Sequence, residues 1–207
     1  MNIDIIVFNG VDELDAIAPF EVFANASLAI KDLRTRLVTL DGTSEIVGAS
    51  GLHFQASGPW VPGGADILVV PGGGWGSKAD AGVFGEVQRG LWNQPLRLAR
   101  ANTRLIAGVC TGALLLAEAG LVTGRRAITH KAAIEDLRTY GAQIVEDKVV
   151  DDGDLVTCGG VTSGLDLAYW IVEREFGEDL AGRLAGAMEY QRSRPIQPLQ
   201  ELFFHQD

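Results

Sequence analysis

Cys110 lies between two glycines in the stretch Gly108-Val109-Cys110-Thr111-Gly112, directly after the apolar residues 105–107. An apolar strand, a tight turn with the reactive residue at its tip and a following helix together form a nucleophile elbow, commonly spelled Gly-x-Ser-x-Gly. A helix that begins at such a turn directs its N-terminal N–H groups and positive dipole end towards the sulfur, which favours the thiolate. A free cysteine is more often a buried packing residue, but its position in this turn predicts a nucleophile.

Two other stretches rich in glycine also follow apolar runs. Pro71-Gly72-Gly73-Gly74 follows residues 66–70, and residues 158–164 follow residues 155–157. Parallel sheets place their sites at the carboxyl ends of the strands, so we expect both stretches to meet the elbow. The N–H groups of Gly72 and Gly73, with that of Thr111, are candidates to donate to an anion that develops on a substrate. A turn that needs glycine only for a positive φ explains the spacing equally well.

Three acids, Asp12, Glu13 and Asp15, follow the first apolar run and should lie near the same edge of the sheet. A carboxyl beside the cysteine could hold a proton and pass it to a substrate, and burial and the thiolate charge would raise its pKa. Acids ahead of a helix are also common as caps and dipole partners, and residue types alone do not choose among the three. His130 is an accessory candidate, since a histidine can activate a cysteine.

The composition indicates a globular protein with a substantial core. The chain has 207 residues, of which 47% are hydrophobic, and a formal net charge of −10, which argues against a nucleic-acid partner. No apolar run approaches the roughly 20 residues that span a bilayer, and the N-terminus lacks the basic residues of a signal peptide. Cys110 and Cys158 make no disulfide framework, and the three histidines have no metal-ligand spacing. We therefore predict a cytoplasmic protein without a metal or a membrane partner.

Apolar runs alternate with helical patterns, which predicts an α/β domain with a mostly parallel sheet covered on both faces. Strands are predicted over residues 3–8, 36–40, 66–70, 105–109 and 127–129, and hairpins over residues 46–56 and 144–157. Helices are predicted from Pro19 onwards and over residues 84–101 (with breaks at Gly85, Gly90 and Pro95), 131–140, 165–176 and 178–189. Residues 1–190 are predicted to form one domain, followed by a tail over residues 191–207.

The elbow, its continuation Ala117-Glu118-Ala119-Gly120-Leu121 and the pair Thr129-His130 together resemble the PfpI/ThiJ superfamily. This superfamily is the cysteine-elbow branch of the class I glutamine amidotransferase-like fold. Residues 69–73 and 160–166 match further signatures of the group, and the resemblance covers residues 3–190. It implies a flavodoxin-like three-layer sandwich and a homodimer formed through the first helix and adjoining loops.

Two branches of that superfamily spell the elbow Val-Cys-Thr-Gly: isocyanide hydratases and the sensor domains of AraC-type regulators. Leu14-Asp15-x-x-x-Pro19 resembles the acidic motif of the hydratases, which implies that Asp15 acts with Cys110 and Thr111 in catalysis. The short stretch after the last predicted helix disfavours the regulator branch, which needs a helix-turn-helix region of roughly 100 residues. Lys131 and Cys158 replace a Trp and a small residue of the hydratase pattern, so we expect a different pocket.

The hydratase resemblance implies conversion of a small-molecule isocyanide and water to an N-formamide without a cofactor. Cys110 would attack the terminal carbon, Asp15 would supply or accept the proton, and Thr111 with Gly72 and Gly73 would position the intermediate. One alternative is a glyoxalase- or amidase-like reaction that uses the same cysteine. Another is a non-catalytic redox or stress sensor in which Cys110 is oxidised.

Overall fold

The computed structural model describes residues 1–193, which contain eleven strands and seven α-helices. The strands are β1 (Asn2–Ile6), β2 (Arg34–Thr39), β3 (Glu45–Val47), β4 (His53–Gln55), β5 (Gly58–Pro59), β6 (Ile67–Val70), β7 (Leu105–Val109), β8 (Arg126–Ala127), β9 (Gln143–Ile144), β10 (Val149–Asp151) and β11 (Leu155–Cys158). The helices are α1 (Glu13–Ser27), α2 (Val83–Arg89), α3 (Asn93–Asn102), α4 (Gly112–Glu118), α5 (Ile134–Thr139), α6 (Ser163–Phe176) and α7 (Glu178–Ala187), and a 3-10 turn (Lys131–Ala133) precedes α5.

One sheet of seven strands forms the centre, in the order β10-β11-β7-β6-β1-β2-β5. Every neighbouring pair is parallel except β10 with β11, which form the predicted hairpin. All residues of β6, β7 and β11 are buried, as expected for a parallel sheet covered on both faces. The remaining strands pair as β3 with β4 and β8 with β9. The predicted α/β architecture is confirmed.

Helices cover both faces of the sheet, and consecutive residues of β7 show which helices lie on each. A Cβ added at Gly108 would meet Leu116 of α4, whereas a Cβ added at Gly164 of α6 would meet Val109. Since neighbouring side chains of a strand point to opposite faces, α4 and α6 lie on opposite sides. α4 packs with α2, α3 and α5, whereas α6 packs with α1 and α7. The strand end that carries Cys110 is therefore enclosed by both helical layers.

The first helix begins earlier than the sequence predicted. Pro19 was expected to open it, but α1 begins at Glu13, with Asp12 as its N-cap and Pro19 inside. The Asp12 carboxylate accepts the Leu14 N–H (3.2 Å), which is a strong start signal and sets the boundary. In a regular helix the N–H of residue 19 would donate to the carbonyl of Asp15. Because Pro19 has no N–H, the Asp15 carbonyl lacks this hydrogen bond. The earlier start places Asp15 within the first turn of the helix.

Two other predicted elements are divided in the structure. The helix predicted over residues 84–101 divides into α2 and α3, and Gly90 ends α2 in the left-handed conformation (φ 66°), as its predicted break implies. In the hairpin predicted over residues 144–157, the first strand is divided between β9 and β10, and only β10 pairs with β11. Within residues 1–193 no helix is long and apolar enough to cross a membrane. Of the tail predicted over residues 191–207, the part from residue 194 onwards lies outside the described residues.

Candidate active site

Cys110 occupies the turn between β7 and α4, with a backbone φ of 54° in the left-handed region. That conformation is costly for a non-glycine residue, and it is held from two sides. The Cys110 N–H donates to Gly159 O (3.1 Å), and the Thr129 hydroxyl donates to Cys110 O (2.8 Å). A Cβ at Gly112 would lie 2.0 Å from Val70 O, so α4 can begin this close to β6 only with glycine there. The predicted strand, turn and helix are confirmed, and the cysteine is only 5% exposed.

Asp15 is fully buried and faces the cysteine. Its Oδ2 accepts the Gly72 N–H (3.0 Å), whereas its Oδ1 has no well-formed hydrogen bond within residues 1–193. Burial, and then the charge of Asp12, raise the pKa of Asp15 to about 8, although the Gly72 N–H and a side-chain interaction with Cys110 act in the opposite direction. At neutral pH this carboxyl therefore holds a proton most of the time.

The structure distinguishes the three acids that the sequence left as alternatives. Asp12 caps α1, which is the structural role considered for all of them. Glu13 accepts the N–H groups of Ser50 (2.7 Å) and Leu52 (3.3 Å), so it fastens the β3–β4 hairpin to the start of α1. Only Asp15 directs its carboxyl to Cys110. The pairing predicted for Asp15 has its geometric basis here, and its chemical role stays a prediction.

The resting state of the Cys110 sulfur differs from the sequence-based expectation. Burial first, and the Asp15 charge second, raise the pKa of the Cys110 thiol to about 12. The backbone N–H groups of Val161 and Thr111 lower it, as the helix argument anticipated, but they do not outweigh those two causes. The expectation of a resting thiolate is therefore wrong. Protonation of Asp15 removes the second cause, so the two groups exchange protons as one unit.

The N–H groups of Gly72 and Gly73, predicted to face a substrate anion, donate within the protein. Gly72 N–H binds Asp15, and Gly73 N–H donates to Thr111 Oγ1 (3.0 Å). A Cβ at Gly72 would lie 2.6 Å from both the nitrogen and the hydroxyl oxygen of Thr111, and 2.9 Å from Asp15 Oδ2. In this state the glycine turn therefore orients Asp15 and Thr111. The Thr111 hydroxyl, whose oxygen accepts here, keeps its hydrogen for another acceptor.

An open groove of about 680 Å³ lies beside the elbow. Thr129, Gly159 and Val161 line it and also contact Cys110 through the hydrogen bonds described above. Ile128 and Ile134 add apolar walls. The volume suits a small organic molecule, since ligand pockets commonly measure about 300–1,000 Å³. Charged side chains of both signs form the rim: Lys131, Glu146 and Lys148 are exposed, and Asp147 is half-buried.

His130 lies on the wall of this groove, and the structure gives it a structural contact. Its Nδ1 accepts the Ala132 N–H (3.2 Å) and so caps the short 3-10 turn. A Cβ at Gly160 would lie 2.5 Å from the imidazole Cδ2, so the ring packs closely over that backbone. These contacts place the ring in the groove wall and account for one of its two nitrogens. The accessory role stays a prediction.

Val161 is a site residue that the sequence did not single out, whereas Thr129 was named only as part of the family motif. Val161 has a φ of 33°, which a β-branched residue rarely adopts, and that strain directs its N–H at the Cys110 sulfur. The glycine-rich stretch around it did predict the location. Backbone donors, however, are not visible in residue types, so no sequence signal identifies this N–H.

Comparison with known proteins agrees with the fold and identifies the family. Residues 1–174 match the model of the DJ-1/PfpI family. An isonitrile hydratase of Pseudomonas putida is 33% identical over 197 residues, which cover 95% of this chain and 81% of the relative. A THiJ/PfpI family protein from Pseudomonas syringae superposes with a TM-score of 0.81 at 24% identity, over 95% of this chain and 77% of that one. Drosophila melanogaster DJ-1beta superposes with a TM-score of 0.78 at 22% identity, over 92% and 98%.

The family match covers most of the chain, and it includes the strand, turn and helix that present Cys110. The predicted resemblance is thus confirmed at the level of the family. The chain belongs to the DJ-1/PfpI family.

Proposed function

We propose that the protein hydrates isocyanides, converting R–NC and water to the N-formamide R–NH–CHO. The buried pairing of a thiol with a carboxyl that holds a proton at neutral pH carries the proposal. The terminal carbon of an isocyanide must receive both a nucleophile and a proton. Cys110 and Asp15 offer these from adjacent atoms in a site that largely excludes water.

In the first step the Cys110 sulfur forms a bond to the isocyanide carbon. Asp15 delivers its proton to the same carbon and then receives the proton of the thiol, which gives a neutral thioimidate. Because Asp15 is neutral when the sulfur attacks, its charge does not oppose the developing negative charge on sulfur. The N–H groups of Val161 and Thr111, which already donate towards the sulfur, stabilise that charge.

In the second step water adds to the thioimidate carbon. Asp15, which holds a proton after the first step, gives it to the substrate nitrogen and removes one proton from the water as the water oxygen bonds to carbon. The carbon–sulfur bond then breaks, the proton of the new hydroxyl group passes to the sulfur, and the formamide leaves with Asp15 protonated as at the start. Asp15 Oδ1, which lacks a well-formed hydrogen bond in the described chain, is the oxygen available to that water.

Similarity to the Pseudomonas putida isonitrile hydratase over 95% of the chain supports this reaction class. The groove supplies space for the R group along Ile128, Ile134 and Val161. These are the features that favour hydration over the glyoxalase- or amidase-like alternatives. The proposed steps use only the chain's own residues and water, in keeping with the cofactor-free reaction that the hydratase resemblance implies.

A panel of alkyl and aryl isocyanides, with formamide followed by proton NMR, tests the proposal. We expect turnover by the wild type and a decrease of at least about a hundredfold in Asp15→Asn, because a positioned general acid commonly contributes that much. The matched control is Asp179→Asn, an exposed acid in the first turn of α7, which should retain full activity. Methylglyoxal is screened in parallel. Turnover of methylglyoxal alone, with no isocyanide converted, would favour the glyoxalase-like alternative and refute hydration.

We also propose that two copies associate through α1, as the family resemblance implied. Leu28, which follows the last residue of α1, is 86% exposed. It borders a groove that Asn25 of α1 and Leu184 and Met188 at α7 also line. Leu28, Leu184 and Met188 together give this groove an apolar lining, and contiguous apolar surface is what marks a protein–protein contact. The cytoplasmic location also stays a prediction.

A further inference from the structure

Cys158 is the second thiol of the chain, and the proposed reaction makes no use of it. It is the last residue of β11 and is fully buried. In the parallel pairing of β11 with β7, Cys158 is in register with Val109, the residue directly before Cys110. Cys110 is the first residue after β7, so the two cysteines are offset by one residue across this pair of strands.

This offset is compatible with a disulfide. A strand spacing of about 4.8 Å and a rise of about 3.3 Å per residue give a Cα–Cα separation of about 6 Å for a one-residue offset. Disulfides commonly join Cα atoms separated by about 4.4–6.8 Å, so little backbone movement is needed. The left-handed φ of Cys110 turns the chain at this point, and its N–H donates to Gly159 O (3.1 Å), the carbonyl of the residue directly after Cys158.

The register also shows on which side of the sheet Cys158 lies. Val109, in register with Cys158, contacts α6, so the Cys158 side chain points to the layer formed by α1, α6 and α7. Asp15, on α1, interacts electrostatically with both thiols. The carboxyl is thus coupled electrostatically to the two groups that would exchange a proton if their sulfurs reacted.

The two thiols differ in access. Cys110 keeps 5% of its surface exposed, and its neighbour Val161 lines the open groove, whereas Cys158 has no exposed surface. Burial raises the pKa of the Cys158 thiol well above its usual value, so it is inert towards reagents in solution. Cys110 is the other of the two cysteines in the sequence, so the sulfur of an oxidised Cys110 is the one that Cys158 could attack within the fold.

We propose that Cys158 is the resolving thiol of oxidised Cys110, and that the two form a reversible intramolecular disulfide. A peroxide ROOH first oxidises the Cys110 thiol to a sulfenic acid and is itself reduced to ROH. The Cys158 sulfur then attacks the Cys110 sulfur, the S–O bond breaks, and the hydroxyl leaves as water with the proton of the Cys158 thiol, passed through Asp15. Two thiols and one peroxide thus give one disulfide, ROH and water.

The consequence is protection. Without a resolving thiol, excess peroxide carries a cysteine sulfenic acid on to sulfinic acid, which thiol reductants do not reverse. A disulfide with Cys158 would hold Cys110 in a form that dithiothreitol restores. The inference does not depend on isocyanide hydration, because it concerns the two thiols and a peroxide only.

The test treats the full-length wild type and Cys158→Ala with hydrogen peroxide, blocks remaining thiols, and analyses intact mass and peptides. We expect the wild type to lose two hydrogens, to yield a Cys110–Cys158 linked peptide and to recover its thiols with dithiothreitol. Cys158→Ala should instead gain two oxygens at Cys110, with on the order of tenfold more sulfinic acid than the wild type. Thermal unfolding verifies that the variant folds, and Cys158→Ser is the second variant.

The wild-type result alone decides the matter, even if both variants unfold. Sulfinic acid at Cys110 with Cys158 still available to the blocking reagent after denaturation, and no linked peptide, would overturn the proposal. Linkage between cysteines of two different chains would overturn it as well, since the register joins residues of one chain.

Discussion

Substitution of Asp15 by asparagine tests the electrostatics of the site through stability. An unfolded aspartate has a pKa of about 4, whereas burial raises the pKa of Asp15 in the fold to about 8. Between these values the unfolded chain releases a proton that the folded protein retains, so stability falls as pH rises. The contribution is fully present below about pH 4 and is lost up to about pH 8, at roughly 1.4 kcal/mol for each pH unit.

The expected magnitude follows from that interval. At pH 7 the wild type pays about 4 kcal/mol to keep Asp15 protonated on folding, and Asp15→Asn is free of this cost. An asparagine amide in the same position has its own unsatisfied hydrogen-bonding groups, which add a constant offset. The informative quantity is therefore the change with pH of the difference in unfolding free energy between variant and wild type. We expect it to increase by up to about 4 kcal/mol from pH 5 to pH 8 and then to level off.

Urea unfolding followed by tryptophan fluorescence at pH 5, 6, 7 and 8 measures this difference. The range excludes interference from Cys110, because its raised pKa affects stability only above about pH 9. Asp179→Asn, at an exposed position, should differ from the wild type by a small amount that does not change with pH. A pH-independent difference for Asp15→Asn would mean that Asp15 is ionised in the folded protein. That result would refute the shared-proton description of the site.

Three further substitutions test other parts of the account. Gly72→Ala should abolish formamide production, because the new Cβ would lie 2.6 Å from the backbone nitrogen of Thr111. Gly76→Ala is the control: a Cβ there has nothing within 4 Å, so formamide production should be unchanged. Lys148→Met should destabilise the protein by about 2 kcal/mol in urea unfolding, because it removes the cation that lies 2.9 Å from the fully buried Asp166 carboxylate. Equal stability of variant and wild type would contradict a structural role for that ion pair. Leu28→Asp should shift the molecular mass in light scattering from dimer to monomer while circular dichroism shows that the variant stays folded, and an unchanged mass would exclude the proposed contact.

The elbow was predictable from sequence because its requirements are local. A buried apolar strand, a glycine before the cysteine and a glycine after Thr111 are visible as residue types, and each has a steric reason in the structure. The convergence of three strand ends was predictable for a topological reason, since parallel strands place their carboxyl ends at one edge. The Gly72 turn and the Cys110 turn do meet there, joined through Thr111.

The start of α1 shows where local cues failed. Proline is favoured at the first position of a helix, and Pro19 met that pattern, but Asp12 supplied a competing cap that a single sequence does not rank against it. Pro19 is retained inside the helix where its ring packs towards Gly164 of α6. That contact depends on tertiary packing, which sequence periodicity does not contain.

The protonation state of Cys110 was mispredicted for a related reason. The donors at the start of α4 were correctly anticipated, but the burial of the sulfur and the distance to Asp15 are properties of the complete fold. Likewise, Gly72 and Gly73 were correctly placed at the site, but whether their N–H groups face a substrate or the protein depends on where Asp15 and Thr111 lie.

The most direct test of the central claim compares formamide production by the wild type and by Cys110→Ala from the same isocyanide under the same conditions. The account predicts steady formation of the N-formamide by the wild type. It predicts a decrease of at least about a thousandfold in the variant, because loss of a nucleophile removes the covalent route altogether. Formamide production at the wild-type rate by folded Cys110→Ala would contradict the assignment of Cys110 as the nucleophile.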